Sequence, residues 1–379
     1  MGTTCGTDSD PVQTDMTTLS ETNPKRHQAL VLCPHPQVKG GVTSYYSLVR
    51  KQYGSGRVDL DFFHVGRDSG IISPVRRCTL ALADIWKLFS VLPKYDLVIL
   101  NPSLDLKSVI RDGMYHFIAK RLFRKRTLVF FHGWNDAVAT RITAHGTWLF
   151  RKTFNFDRGV VLASRFKEIL VAWGFDPESI GLETTVYEES PHEGRNNPFN
   201  VLFLSRFARG KGCLETIQVV EMLSERFPDI KLYMAGDGEM AAELRDYVVR
   251  KKLDGIVEFT GWVDDEAKKE LLNKCGIMLF PTSYGEGMPL CILEGMGMGL
   301  AIVTRPVAGI SDVVSDGVHG FLVASLDPRE FAAKVAELID DGPLWRRISE
   351  GNRRRARALY EVRNVVKRLE ELYYNTCSF

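Results

Sequence analysis

The run PTSYGEGMPLCILEGMGMG, residues 281–299, sets two carboxylates, Glu286 and Glu294, on either side of seven intervening residues. Glu286 lies in a glycine-flanked loop, where a carboxylate can reach the hydroxyls of a polar ligand. Pro289 suits the first position of a helix, because its fixed φ fits there and its missing N–H would have had no partner. Glu294 then falls about one and a half turns inside that helix and can accept from two vicinal hydroxyls, as on a ribose. Between the glutamates, next to Gly287, the backbone amides of Met288, Leu290 and Cys291 have no intrahelical acceptors and make an anion site at the helix start.

Four further loops carry residues of complementary chemistry. RFARGKG places Arg206 and Lys211 among glycines that let backbone approach closely. Two fixed cations beside a helix start suit a diphosphate, since charge-assisted hydrogen bonds and the helix dipole both favour the anion. Gly236-Asp237-Gly238 could bring backbone amides near a base or phosphate, and a turn that merely ends a strand explains it as well. Near the start, CPHPQVKGGVTS holds Gly40 and Gly41, and FHGW holds His132 at a strand end. A single histidine there is often structural. Neither GxGxxG nor GxxxxGK[ST] occurs, which counts against a dinucleotide dehydrogenase and a P-loop phosphotransferase.

These loops need a scaffold that gathers strand ends, and the chain supplies one. From Gln28, short apolar runs (ALVLC, DLDFFHV, DLVIL, TLVFF, GVVLAS) alternate with stretches of helical spacing, the pattern of a mostly parallel sheet flanked by helices. The theme stops near Tyr187, gives way to ESPHEGRNNPFN, and restarts with NVLFLS, IKLYMAG, IVEFTG, GIMLFPT and LAIVTR. We therefore expect an α/β protein of two Rossmann-like, doubly wound domains, residues 27–190 and 200–358, joined by a linker over 191–199. Residues 1–26 read as a flexible tail. Residues 359–379 read as a terminal helix that could pack back on the first domain, with Leu369, Leu372 and Tyr373 on one face.

Composition narrows the function classes. A hydrophobic content of 45% with 25% charged residues is that of a globular protein, and a net charge of +2 gives no argument for nucleic acid as a partner. Residues 1–190 carry about +5 and the remainder about −3. Seven scattered cysteines without a CxxC pair fit a reducing compartment, and no apolar run is long enough to span a bilayer. A cytoplasmic location is expected, with contact at the inner face of a membrane as an extension. That extension rests on Lys120, Arg121, Arg124, Lys125 and Arg126 beside Phe117, Phe123 and Phe130, and on Trp148, Phe150, Arg151, Lys152 and Phe154. Solvated helix faces are the plainer explanation. Acidic doublets such as Asp59 and Asp61 fall within an expected strand, so no metal site is expected.

Taken together, Gly40-Gly41-Val42, Arg206 with Lys211-Gly212, Gly236-Asp237-Gly238, and the Glu286-to-Glu294 spacing resemble glycosyltransferase family four, over roughly residues 29–374. The resemblance implies the two-domain GT-B fold and retaining transfer of a sugar from a nucleotide diphosphate donor to a glycan or lipid-linked acceptor, with no cofactor. It implies that Arg206 and Lys211 hold the diphosphate, Glu294 the ribose and Glu286 the transferred sugar. His132 matches a family histidine near the reacting centre and would donate a hydrogen bond to the sugar. Where relatives often read Glu-Ala-Met-Ala, this chain has Glu294-Gly295-Met296-Gly297, and TTVYEES replaces the usual Asn-Gly-Val-Asp turn. A phosphorylase or nucleotide-sugar epimerase on a related fold, or a catalytically silent nucleotide-sugar binding module, are the alternatives.

Overall fold

The computed structural model describes residues 26–378 apart from Lys39, Ser55, residues 66–73 and Glu286, with the backbone alone described at residues 74–78 and Ala81. The tail read over residues 1–26 thus lies outside the described residues save for Arg26. Of the expected site, Glu286 also lies outside them.

Both domains are doubly wound. In the first, β1 (His27–Cys33), β2 (Val58–His64), β3 (Leu97–Leu100), β5 (Arg126–Phe131), β7 (Arg158–Val161) and β8 (Ile180–Leu182) form one parallel sheet in the order β2-β1-β3-β5-β7-β8. The two-residue strands β4 (Ser103–Leu104) and β6 (Gly133–Trp134) pair beside it. In the second, β9 (Asn197–Leu204), β10 (Lys231–Ala235), β11 (Val257–Gly261), β12 (Cys275–Phe280), β13 (Ala301–Thr304) and β14 (Gly320–Leu322) run parallel in the order β11-β10-β9-β12-β13-β14. Strands β3 and β12 are buried along their whole length, because helices cover both faces of a parallel sheet and leave no side for polar alternation. The sequence periodicity found the ten longer strands. It missed β8 and β14, which are three residues each and contain glycine, too short to register as an apolar run.

In each sheet the strand order reverses once, between β1 and β3 and between β9 and β12. A crevice opens at such a reversal, beyond the carboxyl ends of the strands, because the two connections leave in opposite directions. Arg206 and Lys211 follow β9, and the helix Leu290–Gly297 follows β12. Gly40 follows β1, and His132 follows β5.

The chain crosses between domains twice, side by side. Tyr187 N donates to Tyr360 O at 3.2 Å, and Val362 N donates to Tyr187 O at 3.0 Å. The residues read as a linker are anchored: strand β9 already begins at Asn197, and Asn196 Nδ2 donates to Leu272 O and Cys275 O at 2.9 and 2.6 Å. After the second crossing the helix Val362–Ser378 lies against the first sheet, with Leu369 and Tyr373 fully buried and Arg368 forked onto Glu183 at 2.8 and 3.0 Å. Two glycines of the Glu-Gly-Met-Gly stretch have a packing cause. A Cβ on Gly295 would stand 2.9 Å from Met278 Cε, and one on Gly297 would stand 2.3 Å from the Tyr187 ring, so the helix trades intrinsic propensity for close contact with β12 and the crossing.

Candidate functional site

The cleft between the two strand-end surfaces has a volume of about 1340 Å³ and gathers almost every residue singled out from the sequence. Gly40, Gly41 and His132 line it from the first domain. Arg206, Lys211, Gly238, Gly287, Met288, Pro289, Leu290 and Glu294 line it from the second.

The loop from β9 to the helix Cys213–Ser224 reaches its shape through glycine. Gly212 caps that helix at φ +83°, a left-handed conformation that L side chains rarely adopt, and a Cβ there would lie 2.7 Å from Pro281. This packing joins the β9 loop to the β12 loop and fixes Lys211 between them. Lys211 is only 7% exposed, with Nζ 4.3 Å from the Tyr284 ring centroid. Arg206 by contrast is exposed at the cleft surface. The two expected cations therefore differ: one is embedded in the wall and one reaches from it.

The helix after β12 begins at Leu290, with Pro289 as its N-cap. Pro289 thus stands one position earlier than the first-turn place expected of it, in extended backbone with φ −65° and ψ 126°. The amides of Leu290 and Cys291 remain in the first turn, where no intrahelical carbonyl precedes them. Glu294 projects from the next turn and is met by a residue that sequence reasoning missed. Lys268, on the helix Asp265–Lys274, places Nζ 2.8 Å from Glu294 Oε1 and 3.5 Å from Asp265. Burial tends to neutralise this ammonium, yet the Glu294 carboxylate together with Asp265 more than offsets it and its pKa is raised. One lysine among many on a helix face carries no sequence signal for such a role. Trp262, exposed on the loop after β11, also lines the cleft.

Across the cleft, His132 is held by a network that determines its proton. Asn101 Nδ2 donates to Leu32 O at 2.9 Å, which turns Oδ1 toward the cleft side, where Tyr46 Oη donates to it at 2.7 Å. His132 Nε2 lies 3.0 Å from the same Oδ1. An amide oxygen can only accept, so Nε2 carries the hydrogen and Nδ1 is the ring's acceptor. The ring stacks on Phe130 with centroids 4.0 Å apart, and burial drives its pKa down to about 3. The ring's N–H is thus used inside the first domain, and its other nitrogen, Nδ1, is an acceptor.

The two walls touch. A Cβ on Gly287 would come within 2.5 Å of His132 O, one on Gly285 within 2.8 Å of Trp134 O, and one on Gly309 within 2.5 Å of Leu162 O. Ser164 N donates to Asp312 Oδ2 at 2.7 Å across the same junction. By contrast, a Cβ on Gly40 or Gly41 would meet nothing within 4 Å, so no protein contact requires glycine there and that backbone faces open cleft.

Other candidates fall elsewhere. Asp59 accepts from Gln28 Nε2 at 2.9 Å and Asp61 from Tyr95 Oη at 2.9 Å. Among the basic and aromatic residues grouped from the sequence, Phe130, Phe150 and Phe154 are core, and Lys120 and Arg126 pair with Asp157 at 2.6 and 3.2 Å. That group divides, because alternate residues of each helix and strand point inward, and Phe117, Arg121, Arg124, Trp148, Arg151 and Lys152 remain exposed.

Comparison with known proteins gives concordant findings. The family model for Glycosyl transferases group 1 matches residues 198–341, within the second domain. The capsular polysaccharide biosynthesis glycosyltransferase CapM of Staphylococcus aureus is 26% identical over 202 residues, 53% of this chain and 52% of CapM. Alpha-D-kanosaminyltransferase of Streptomyces kanamyceticus is 28% identical over 173 residues, 46% of this chain and 45% of the relative. The chain spans about half the length of the curated relatives it matches. Among solved structures, Anabaena Alr3699/HepE in complex with UDP and glucose superposes with a TM-score of 0.70 at 17% identity, covering 92% of this chain and 99% of that one. The fold is GT-B.

Proposed function

We propose that this protein is a retaining glycosyltransferase that moves a sugar from a nucleotide diphosphate donor to a glycan or lipid-linked acceptor in polysaccharide or glycolipid assembly, without a metal ion. The observation that carries this reading is the convergence on one cleft wall of an embedded cation (Lys211), an exposed cation (Arg206), a helix start at Leu290 and a carboxylate at Glu294. A nucleoside diphosphate has the matching sequence of groups: Glu294 takes the ribose hydroxyls, and Arg206, Lys211 and the first-turn amides take the diphosphate. The match of residues 198–341 to a glycosyltransferase family and the UDP named with the HepE structure support the same assignment.

In the mechanism we infer, departure of the diphosphate concentrates negative charge where Lys211 and the helix amides already stand, so they stabilise the transition state without reorganising. The diphosphate oxygen helps take the acceptor hydroxyl's proton on the face it leaves, which retains the anomeric configuration. His132 accepts a hydrogen bond from a hydroxyl of the transferred sugar through Nδ1, and Glu286 is assigned a further contact to that sugar. Gly40, Gly41 and Gly238 let backbone approach the donor.

The test is incubation with a panel of nucleotide sugars, with and without acceptor glycans, following nucleotide release and the anomer of the product. Acceptor-dependent release with retained configuration supports the reading. Sugar phosphate formation or donor interconversion without acceptor would assign a phosphorylase or epimerase, and binding without turnover a silent module. Loss of activity on chelation would overturn metal independence.

A further inference from the structure

The first sheet has two covered faces. The helices Gly41–Gln52 and Val362–Ser378 cover one, and the helices Pro74–Val91, Leu106–Phe117 and Thr147–Thr153 lie over the other. The second layer is continuous. A Cβ on Gly113 would meet Thr153 Cγ2 at 2.6 Å, and the Phe89 and Phe123 rings stand 5.2 Å apart.

Its outer side is apolar to a degree the rest of the surface is not. Leu82 and Trp86 on the first helix, Leu106, Ile110, Met114 and Phe117 along one stripe of the second, Leu122 just after it, and Trp148 and Leu149 on the third are all exposed. These are nine of the seventeen exposed large apolar side chains among the described residues. Trp86 is 79% exposed and Trp148 67%. The spacing of four, eight and eleven residues from Leu106 is that of one helical face, and nothing among the described residues covers it.

Apart from Asp105, the N-cap of the second helix, whose carboxylate accepts from the amides of Lys107 and Ser108, the charges around these residues are positive. The three helices contain two acids, Asp84 and Asp112, and both are buried. Lys87, Lys107, Arg121, Arg124, Arg151 and Lys152 are exposed or flank the stripe, and Lys152 Nζ sits 4.5 Å from the Trp148 ring. Apolar side chains that insert, flanked mainly by cations, match an anionic bilayer surface, where Trp settles at headgroup depth and each lysine or arginine adds attraction. A second copy is a poor fit, because a symmetric contact would oppose cation to cation.

We propose that this helical layer docks the protein on an anionic lipid bilayer. The stripe starts at Leu106, next to Ser103, Leu104 and Asp105 of the cleft lining, so docking holds the cleft mouth at the headgroup level. With the transferase reading above, this favours an acceptor whose lipid anchor stays in the membrane. The docking itself does not depend on that reading.

The full chain is sedimented with vesicles of zwitterionic lipid and with vesicles that also contain phosphatidylglycerol. The expected result is binding to the anionic vesicles that weakens with salt, falling about five-fold for each cation among Lys107, Arg151 and Lys152 changed to alanine. Trp86→Ala combined with Trp148→Ala abolishes binding at every salt concentration, whereas Met222→Ala, exposed on the second domain, leaves it unchanged. Unaltered circular dichroism of the variants keeps the comparison valid. Absence of wild-type binding to anionic vesicles overturns the proposal, as does binding insensitive to the double tryptophan change, or capture of the face by self-association in sedimentation velocity. Vesicle binding without nucleotide-sugar turnover would leave the docking surface standing and remove the transferase reading.

Discussion

Lys211→Met and Glu294→Gln should fail in different kinetic constants. Lys211 is 7% exposed and packed on the Tyr284 ring, so a charge developing about 4 Å from its ammonium interacts by roughly 4 kcal/mol per full unit at an effective dielectric of about 20. If about half a unit moves onto the leaving oxygen in the transition state, the loss is about 2 kcal/mol, or about thirty-fold in kcat. The methionine keeps the apolar stem in its slot. Glu294 holds groups that do not change during the reaction, so Glu294→Gln removes about 1–2 kcal/mol of charge-assisted bonding equally from ground and transition states, raising KM about ten-fold with kcat little changed. Steady-state kinetics with varied donor, at saturating acceptor, separate the two effects, and calorimetric binding of the nucleotide diphosphate checks KM against affinity. A Lys211→Met enzyme altered only in KM, or a Glu294→Gln enzyme altered only in kcat, would refute the assignment of the wall.

Arg206→Ala should also lower kcat, but by only about five-fold, since an exposed cation is screened by water; a larger loss than that of Lys211→Met would reverse their relative importance. Gly287→Ala drives a methyl to 2.5 Å from His132 O, so it should lower kcat/KM at least ten-fold while each domain keeps its thermal transition, as kinetics and calorimetry together would reveal. The half-buried His132 and the buried His116 have pKa values pushed down to about 3 and about 4, below the unfolded value of about 6.5, so unfolding takes up a proton at each as pH falls. Stability is therefore full well above about pH 6.5 and its decline approaches about 1.4 kcal/mol per pH unit for each below that, which makes about 2 kcal/mol for the pair between about pH 6.5 and pH 5.5. Urea unfolding at the two pH values checks this, and His116→Gln should remove about half of the slope.

What was legible in the sequence follows from how local the cause is. Parallel strands buried on both faces, such as Cys275–Phe280, must be continuous apolar runs, and they announce themselves. Loops at strand ends that carry cations and glycines are likewise visible, because Gly212 has no alternative at φ +83°. Partners that meet across the fold were not visible. Lys268 reaches Glu294 from a helix 26 residues earlier in the chain, and its own neighbours Asp265 and Glu266 give it an ordinary surface appearance. The tautomer of His132 is hidden from the sequence for the same reason: it is set by Asn101, 31 residues away, whose amide is turned by a carbonyl on a third segment, Leu32. Only part of the basic and aromatic group is surface, because composition cannot tell inward from outward; Phe130 and Phe154 are core, whereas the exposed Leu82, Trp86 and Ile110 carry no such signal.

The contacts between the domains bear on why the site is split at all. His132 offers its side chain to the cleft and its carbonyl to the Gly287 loop, so the same residue senses the ligand and the approach of the opposite wall. Gly287 O in turn accepts from Gly309 N at 3.0 Å, and Gly309 lies against Leu162 O. In the function proposed above, a donor on Arg206, Lys211 and Glu294 reaches the first domain because these contacts hold the walls together, with Gly40, Gly41 and His132 on the same cleft. The glycines permit the approach and the Ser164 N to Asp312 bond adds attraction across it, so a donor that bridges the walls should hold them more tightly and exclude water from the reacting bond. The crossing at Tyr187, Tyr360 and Val362 lies where any relative motion of the walls must turn, with Gly297 against the Tyr187 ring. Gly297→Ala should therefore slow turnover through the hinge while nucleotide affinity of the second domain stays as it was, and a variant that binds nucleotide more weakly at unchanged kcat would place the hinge elsewhere.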